Sequence, residues 1–313
     1  MPLQFLQMKI IHTATELASG SRKVCLAIGV FDGVHLGHQQ IIRQTIADAR
    51  QHDAVALVIT FDRHPNSIVA PERVPPQIYS APQQLRAIEA LGADVVLLIH
   101  FDKPFSQQTG EEFIRSLTRD LGRIQSICVG ADFVFGRQRS GNVTLLNQLG
   151  GELGFMVHGL AAVALDGQVV SSTRIREAIR TGNLDAAGQM LGRPYTICGK
   201  VVEGDKIGRQ LGFPTANLDV TNLILPPNGV YAANTRFNER SYRVALNIGV
   251  RPTVAAGSEL RVEAHLLDFS GELYGAELEL EIGERLRGEQ TFSSAAELRG
   301  QIARDIAQVR SKY

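Results

Sequence analysis

The stretch Gly29-Val30-Phe31-Asp32-Gly33-Val34-His35-Leu36-Gly37-His38 decides how this chain is read. Upstream, residues 24–30 form a continuous apolar run of the kind found in buried parallel strands. Downstream, Ile41, Ile42, Thr45, Ile46 and Ala49 recur at helical spacing. The run therefore spans a strand-to-helix turn. His35 and His38 fall on one face of the first helical turn, beside backbone N–H groups that have no partner inside the helix. That end of a helix carries roughly half a positive charge and seats phosphate. Gly29, Gly33 and Gly37 bring no side chain to keep a nucleotide from the backbone, and Phe31 and Asp32 lie between them. An isolated H-x-x-H also suits a turn whose imidazoles bond only local carbonyls. The preceding strand, the glycines and Asp32 favour the nucleotide site.

Working outward, apolar runs at 55–61, 95–101 and 127–130 alternate with helical patterns. In residues 109–121, Thr109 and Glu112 make a capping box ahead of an apolar stripe of Phe113, Ile114, Leu117 and Leu121. This alternation predicts an α/β domain: a parallel sheet with helices on both faces, whose ligands bind beyond the carboxyl ends of the strands. The rhythm changes near Leu191-Gly192-Arg193-Pro194. Short strand patterns at 195–202, 230–237, 242–248, 261–267 and 277–282, separated by turns such as Pro226-Pro227-Asn228-Gly229, predict a small antiparallel β-barrel. One helix should close it, with Ser294 and Glu297 as capping box and Leu298, Ile302, Ile306 and Val309 as apolar face. Two domains are expected, 1–185 and 186–313, joined among 181–192 within or just after two short helices.

Bulk composition agrees with two ordinary cores. The chain has 313 residues, 44% of them hydrophobic and 20% charged, and Lys plus Arg equals Asp plus Glu at 32 each. A net charge of zero offers no sign of a nucleic-acid partner. Cys25, Cys128 and Cys198 lack C-x-x-C spacing, which argues against a disulfide framework, a zinc site and a catalytic cysteine. There is no signal-peptide pattern at the start and no run of about 18 apolar residues, so a cytoplasmic protein without a membrane partner is expected. Neither G-x-x-x-x-G-K-[ST] nor G-x-G occurs, which excludes the phosphate loops those motifs build.

Two further segments have the chemistry of phosphate handling. Val170-Ser171-Ser172-Thr173-Arg174-Ile175-Arg176 joins capping hydroxyls to guanidinium forks suited to pyrophosphate, although a capped surface helix reads the same way locally. In Gly208-Arg209-Gln210-Leu211-Gly212-Phe213-Pro214-Thr215-Ala216-Asn217, the Thr215 hydroxyl and Asn217 carbonyl lie two residues apart. In an extended chain they point to one side, where they suit one magnesium ion. Gly208 and Gly212 let the neighbouring loop fold over phosphates, with Lys206 or Arg209 adding charge.

At these residues the chain resembles the nucleotidyltransferase superfamily through its H-x-G-H. More narrowly, it resembles the bacterial bifunctional riboflavin kinase/FAD synthetases, in motifs spread over essentially its whole length. Ser172-Thr173 with Arg176 is similar to the family's S-S-T-x-[IV]-R. The segment 130–141 is similar to G-x-[DN]-F-x-F-G-x-x-R-x-G, which implies flavin contact at Asp132 and Phe135 and phosphate contact at Arg139. Phe133 reads as core. Phe61-Asp62-Arg63-His64-Pro65 resembles F-x-P-H-P, with Arg63 in place of the first proline. In the second half, G-x-P-T-A-N is a riboflavin-kinase hallmark that includes Pro214. Residues 262–269 are similar to V-E-x-H-x-L-D-F, whose glutamate, here Glu263, is the base. Residues 247–254 are similar to N-I-G-x-[RN]-P-T-F, with Val254 in place of phenylalanine.

The resemblance implies a bifunctional enzyme that uses ATP and magnesium. Riboflavin would be phosphorylated to FMN by the barrel through Glu263, Thr215 and Asn217. FMN would then be adenylylated to FAD by the first domain through His35, His38 and Arg176. A transferase acting on a pantetheine or glycerol phosphate would explain H-x-G-H but not the second half. A non-catalytic flavin-binding protein is disfavoured because every expected catalytic position is kept. Oligomeric state is not legible.

Overall fold

The computed structural model describes residues 8–17, 23–205, 207–253 and 257–312. Lys206 and Val254 lie outside them. The chain divides into two compact units, residues 1–75 with 81–172 and residues 76–80 with 173–313.

The first unit holds six parallel strands: Lys9–Ile11 (β1), Lys23–Ile28 (β2), Ala54–Phe61 (β3), Val95–Ile99 (β4), Ile124–Gly130 (β5) and Met156–Leu160 (β6). Their spatial order is β1-β4-β3-β2-β5-β6. Order reverses between β2 and β5, which makes the carboxyl end of β2 the topological switch point where α/β sheets bind ligands. Strand residues alternate between two cores, as a period of two requires. Val24, Leu26 and Ile28 face the helices Gly110–Leu121 and Val143–Leu153 through Phe113, Ile114, Leu117, Leu146 and Leu149. Cys25 and Ala27 face Leu36–Gln51 and Ala81–Glu89 through Ile42, Ile46, Ala49 and Ile88. In chain order these helices are α1 (36–51), α2 (81–89), α3 (110–121) and α4 (143–153). Helices on both faces were expected, and so was the Thr109–Glu112 capping box, which forms reciprocally. Strand β1, three residues long, and β6, interrupted by His158 and Gly159, have no counterpart among the sequence-based expectations.

The second unit is a closed six-stranded barrel of Thr196–Val202 (β7), Ala216–Asp219 (β8), Gly229–Phe237 (β9), Arg240–Thr253 (β10), Gly257–Leu266 (β11) and Glu277–Arg287 (β12), in the order β7-β8-β11-β10-β9-β12. All its pairings are antiparallel. The strand not expected as such is β8, only four residues long, which carries Asn217. Helices Ser172–Arg180 (α5) and Leu184–Leu191 (α6) precede the barrel, and Ala295–Lys312 (α7) closes it through Val309. The bidentate pair of Arg287 with buried Asp305 fastens α7 to β12. The N-cap of α7 differs from expectation: Ser294 accepts the Glu297 amide, but the Glu297 carboxylate reaches back to Ser293, one residue further than a capping box requires.

The unit also incorporates Pro76–Ser80 from far upstream. Gln77 exchanges backbone hydrogen bonds with Asn222 and Ile224 at 2.7 and 2.8 Å. Ile78 and Tyr79 are buried, and the Arg193 guanidinium lies 4.9 Å above the Tyr79 ring while its Nε donates to the hydroxyl.

Candidate functional site

The turn after β2 is bent hard. Phe31, Gly33 and Val34 have φ of +51°, +78° and +40°, in the left-handed region that a β-branched residue avoids. The strain is held because the Phe31 and Val34 side chains are anchored in the core. Gln39, buried on α1, donates to the Val34 carbonyl at 2.9 Å, and Thr60 and Gln84 both donate to the Val30 carbonyl.

This frame presents the histidines. His35 is the N-cap of α1, and its Nδ1 accepts the His38 amide at 3.4 Å. The two rings stack at 3.6 Å, 20° from parallel, and Phe31 meets His38 edge-on at 5.3 Å. The Phe31 ring therefore supports His38 from the core. A Cβ on Gly37 would stand 3.2 Å from the His35 ring, so glycine is what lets the stack lie this close. The Nδ1 atom of His38 is buried and makes no hydrogen bond among the described residues. Burial first, and the neighbouring His35 second, push the His38 pKa well below 6.5, so the ring is neutral at pH 7.

A pH dependence of stability follows. Above pH 6.5 neither folded nor unfolded His38 holds the extra proton. Below it the unfolded chain binds a proton that the native site refuses, and stability falls until the depressed native pKa is reached. Urea unfolding at about pH 7.5 and about pH 5.5 should show a smaller loss in His38→Asn than in the parent protein. An equal loss in both would refute the neutral, desolvated ring.

Ser172 joins this turn by donating its hydroxyl to the carbonyl of buried Asp32 at 3.1 Å. Thr173 and Arg176 follow on α5 in the second unit, where Arg176 Nε donates to the Pro76 carbonyl at 2.7 Å. Asp132, Phe135 and Arg139 share the excursion between β5 and α4. Asp132 and Arg139 are exposed, the latter at φ +61°. Phe135 stacks on Phe133 at 5.1 Å, and its ring lies so near Gly141 that a Cβ there would stand 2.6 Å away. Both rings are half-buried and pack on the core. Cys25 and Cys128 are buried, and burial pushes the Cys128 thiol up to about 12, a setting for inert thiols.

In the barrel, register assembles the second cluster. Asn217 on β8 pairs with Glu263 on β11, and Glu263 pairs in turn with Asn247 on β10. Ala216, Leu218, Val262 and Ala264 point inward and are buried. Thr215, Asn217 and Glu263 therefore share the outer face, where directly paired residues have Cβ atoms about 5 Å apart. The preceding loop is drawn against them: a Cβ on Gly204 would overlap the Asn217 amide, and one on Gly208 would stand 3.1 Å from Thr215 Oγ1. His265, on the Glu263 face, donates Nδ1–H to the Pro214 carbonyl at 2.8 Å and meets Phe213 edge-on. An Arg261–Asp205 ion pair at 2.6 Å ties down the other side of the loop. A cavity of about 590 Å³ adjoins Gly204 and Asn217, and another of about 320 Å³ adjoins Arg209, Pro214 and Thr215. His265 and Asn247 fall in segments the sequence singled out, whereas the Asp205 contact with Arg261 had no sequence signal.

The chain thus carries two distinct candidate sites, a histidine-capped helix terminus at a sheet's switch point and a polar cluster on a barrel wall. The family model described as FAD synthetase matches residues 18–174, and that described as riboflavin kinase matches 191–313. The bifunctional riboflavin kinase/FMN adenylyltransferase of Escherichia coli is 37% identical, covering 95% of this chain and 96% of that protein. That of Pseudomonas fluorescens is 36% identical over 97% of both. A crystal structure described as a macrolide-efflux protein from Streptococcus pneumoniae shares the fold with a TM-score of 0.82 at 28% identity, over 98% of this chain and 100% of that one. Among the described residues no helix is long and apolar enough to cross a membrane. The chain belongs to the bifunctional riboflavin kinase/FMN adenylyltransferase family and is an enzyme of that class.

Proposed function

We propose that this chain phosphorylates riboflavin to FMN in a kinase domain, 186–313, and adenylylates FMN to FAD in a transferase domain, 1–185, using ATP in both steps. The observation that carries the reading is the presence of two separate polar clusters, the His35–His38 helix terminus in the first compact unit and the Asn217–Glu263 pair in the second.

In the first step the terminal hydroxyl of riboflavin attacks the γ-phosphorus and ADP leaves. Glu263 takes the hydroxyl proton as the new P–O bond forms. Thr215 and Asn217 offer two neutral oxygens on one face, the donor type a hard cation prefers, beside a loop brought close by Gly204 and Gly208. When bound there, magnesium neutralises charge on the phosphate oxygens. Lys206, Gly208 and Pro214 complete the nucleotide side of this reading.

In the second step an FMN phosphate oxygen attacks the α-phosphorus of a second ATP, and pyrophosphate leaves. The α1 terminus and the backbone of Gly29, Phe31, Asp32, Gly33 and Gly37 receive the triphosphate. His38, neutral at pH 7, donates an N–H to the α-phosphate or leaving group, and His35 serves the triphosphate. Ser172, Thr173 and Arg176 bind pyrophosphate. Asp132, Phe135 and Arg139 meet the flavin, with Phe135 acting through packing. A cytoplasmic location, where ATP is supplied, belongs to the same proposal.

Incubating the full chain with riboflavin, ATP and magnesium should yield FMN, then FAD with one pyrophosphate per FAD, and EDTA should stop both steps. Binding of flavin and nucleotide without turnover would overturn the reading. Adenylyl transfer to a pantetheine or glycerol phosphate in place of FMN would overturn its second half.

A further inference from the structure

Arg63 follows the end of β3, and the structure joins it to the residue before it. Strands β3 and β4 end side by side, with Phe61 opposite Ile99 and the Asp62 amide donating to the Ile99 carbonyl. The Asp62 carboxylate then gathers three groups. It accepts the Phe101 amide at 3.0 Å, the Arg63 guanidinium at 3.2 and 3.3 Å, and His100 Nδ1 at 2.6 Å. Partial burial raises the Asp62 pKa, but the bonds from Phe101, Arg63 and His100 outweigh it, and the carboxyl stays below the usual aspartate value. It is thus an anion across the physiological range, and its short contact with Nδ1 fixes the proton there. In the tautomer that donates from Nδ1 to Asp62, the bare Nε2 is a hydrogen-bond acceptor.

The ring does nothing for the core. The His100 side chain is 63% exposed, whereas Phe61, Phe101 and Phe105 beside it pack edge to face into a continuous aromatic array. An oriented imidazole at the rim of such an array, at the carboxyl end of a parallel sheet, faces the side on which α/β sheets bind their ligands. It lies two strands from β2, roughly 10 Å along the sheet, within the span of an acceptor whose phosphate sits at α1 and whose flat ring system extends over β3 and β4.

We propose that His100, oriented by Asp62, is a specificity-determining contact for the flat acceptor of adenylyl transfer, accepting a hydrogen bond at Nε2 from an imide N–H on the edge of its ring system. The inference rests on the proposed function, which supplies an acceptor with an imide edge. Asp62 is a positioning residue, and Arg63 is its counter-charge.

Steady-state FAD formation by the full chain, with FMN varied and ATP saturating, tests it. His100→Ala should raise KM for FMN about fivefold, the effect of one net hydrogen bond, with kcat and KM for ATP little changed. FMN methylated at the imide nitrogen should be a worse acceptor than FMN for the parent enzyme and an equal one for His100→Ala. Asp62→Asn should behave as His100→Ala does, and its melting curve separates that effect from loss of the Phe101 bond. An unchanged KM, or discrimination against the methylated flavin that survives in His100→Ala, would reduce the pair to a surface ion pair and overturn the proposal. A parent enzyme that made no FAD at all would instead overturn the function on which it rests.

Discussion

A His38→Ala enzyme should form FAD from FMN roughly 100- to 1000-fold more slowly than the parent, the loss typical of one preorganised donor at a developing oxyanion. FMN formation from riboflavin should stay within about twofold, because the barrel cluster belongs to a separate compact unit. The large effect is expected because His38 is set in place before any substrate arrives. Its ring is stacked on His35, braced by Phe31 and held neutral by burial, so no rearrangement precedes its use. Alanine would leave α1 intact, since the N-cap side chain is that of His35. Product chromatography with FMN or riboflavin as the starting flavin, alongside a melting curve, reads the outcome. A folded variant that lost both activities would refute the separation of sites, and one that kept both would remove His38 from the mechanism.

The reciprocal result is expected of Glu263→Gln. FMN formation should fall by roughly two to four orders of magnitude, the range for a missing general base. FAD formation from supplied FMN should be unaffected. Glutamine keeps the shape and the hydrogen-bonding reach of the side chain between Asn217 and Asn247, so lost activity reports the missing proton acceptor and not a broken strand. If riboflavin phosphorylation persisted within tenfold of the parent, the base would have to be sought elsewhere.

Much of this arrangement was legible beforehand, for identifiable reasons. Strands β2 to β5 announced themselves as short apolar runs because parallel strands are buried on both faces. The cap of α3 was legible because a capping box is a local exchange between residues three apart, and Thr109 and Glu112 complete it. Strand β8 was hidden by its length, since four residues carry too little alternation to register. The α7 cap slipped by one residue because adjacent serines offer Glu297 equivalent partners, and only the approach of the chain chooses between them.

What the amino-acid sequence determined by itself was everything carried by near neighbours: the order of elements, the change of rhythm between two domains, and the residue types gathered at each turn. Tertiary structure alone decided which distant residues meet. Glu263 faces Asn217 only through the β8–β11 register, and Asp62 finds His100 only because β3 and β4 end together. Pro76–Ser80 counts with the barrel unit, where Gln77 bonds to Asn222 and Ile224 and Tyr79 to Arg193. Register and burial are settled by the free energy of covering whole faces at once, a sum over the folded chain to which no local stretch holds the key.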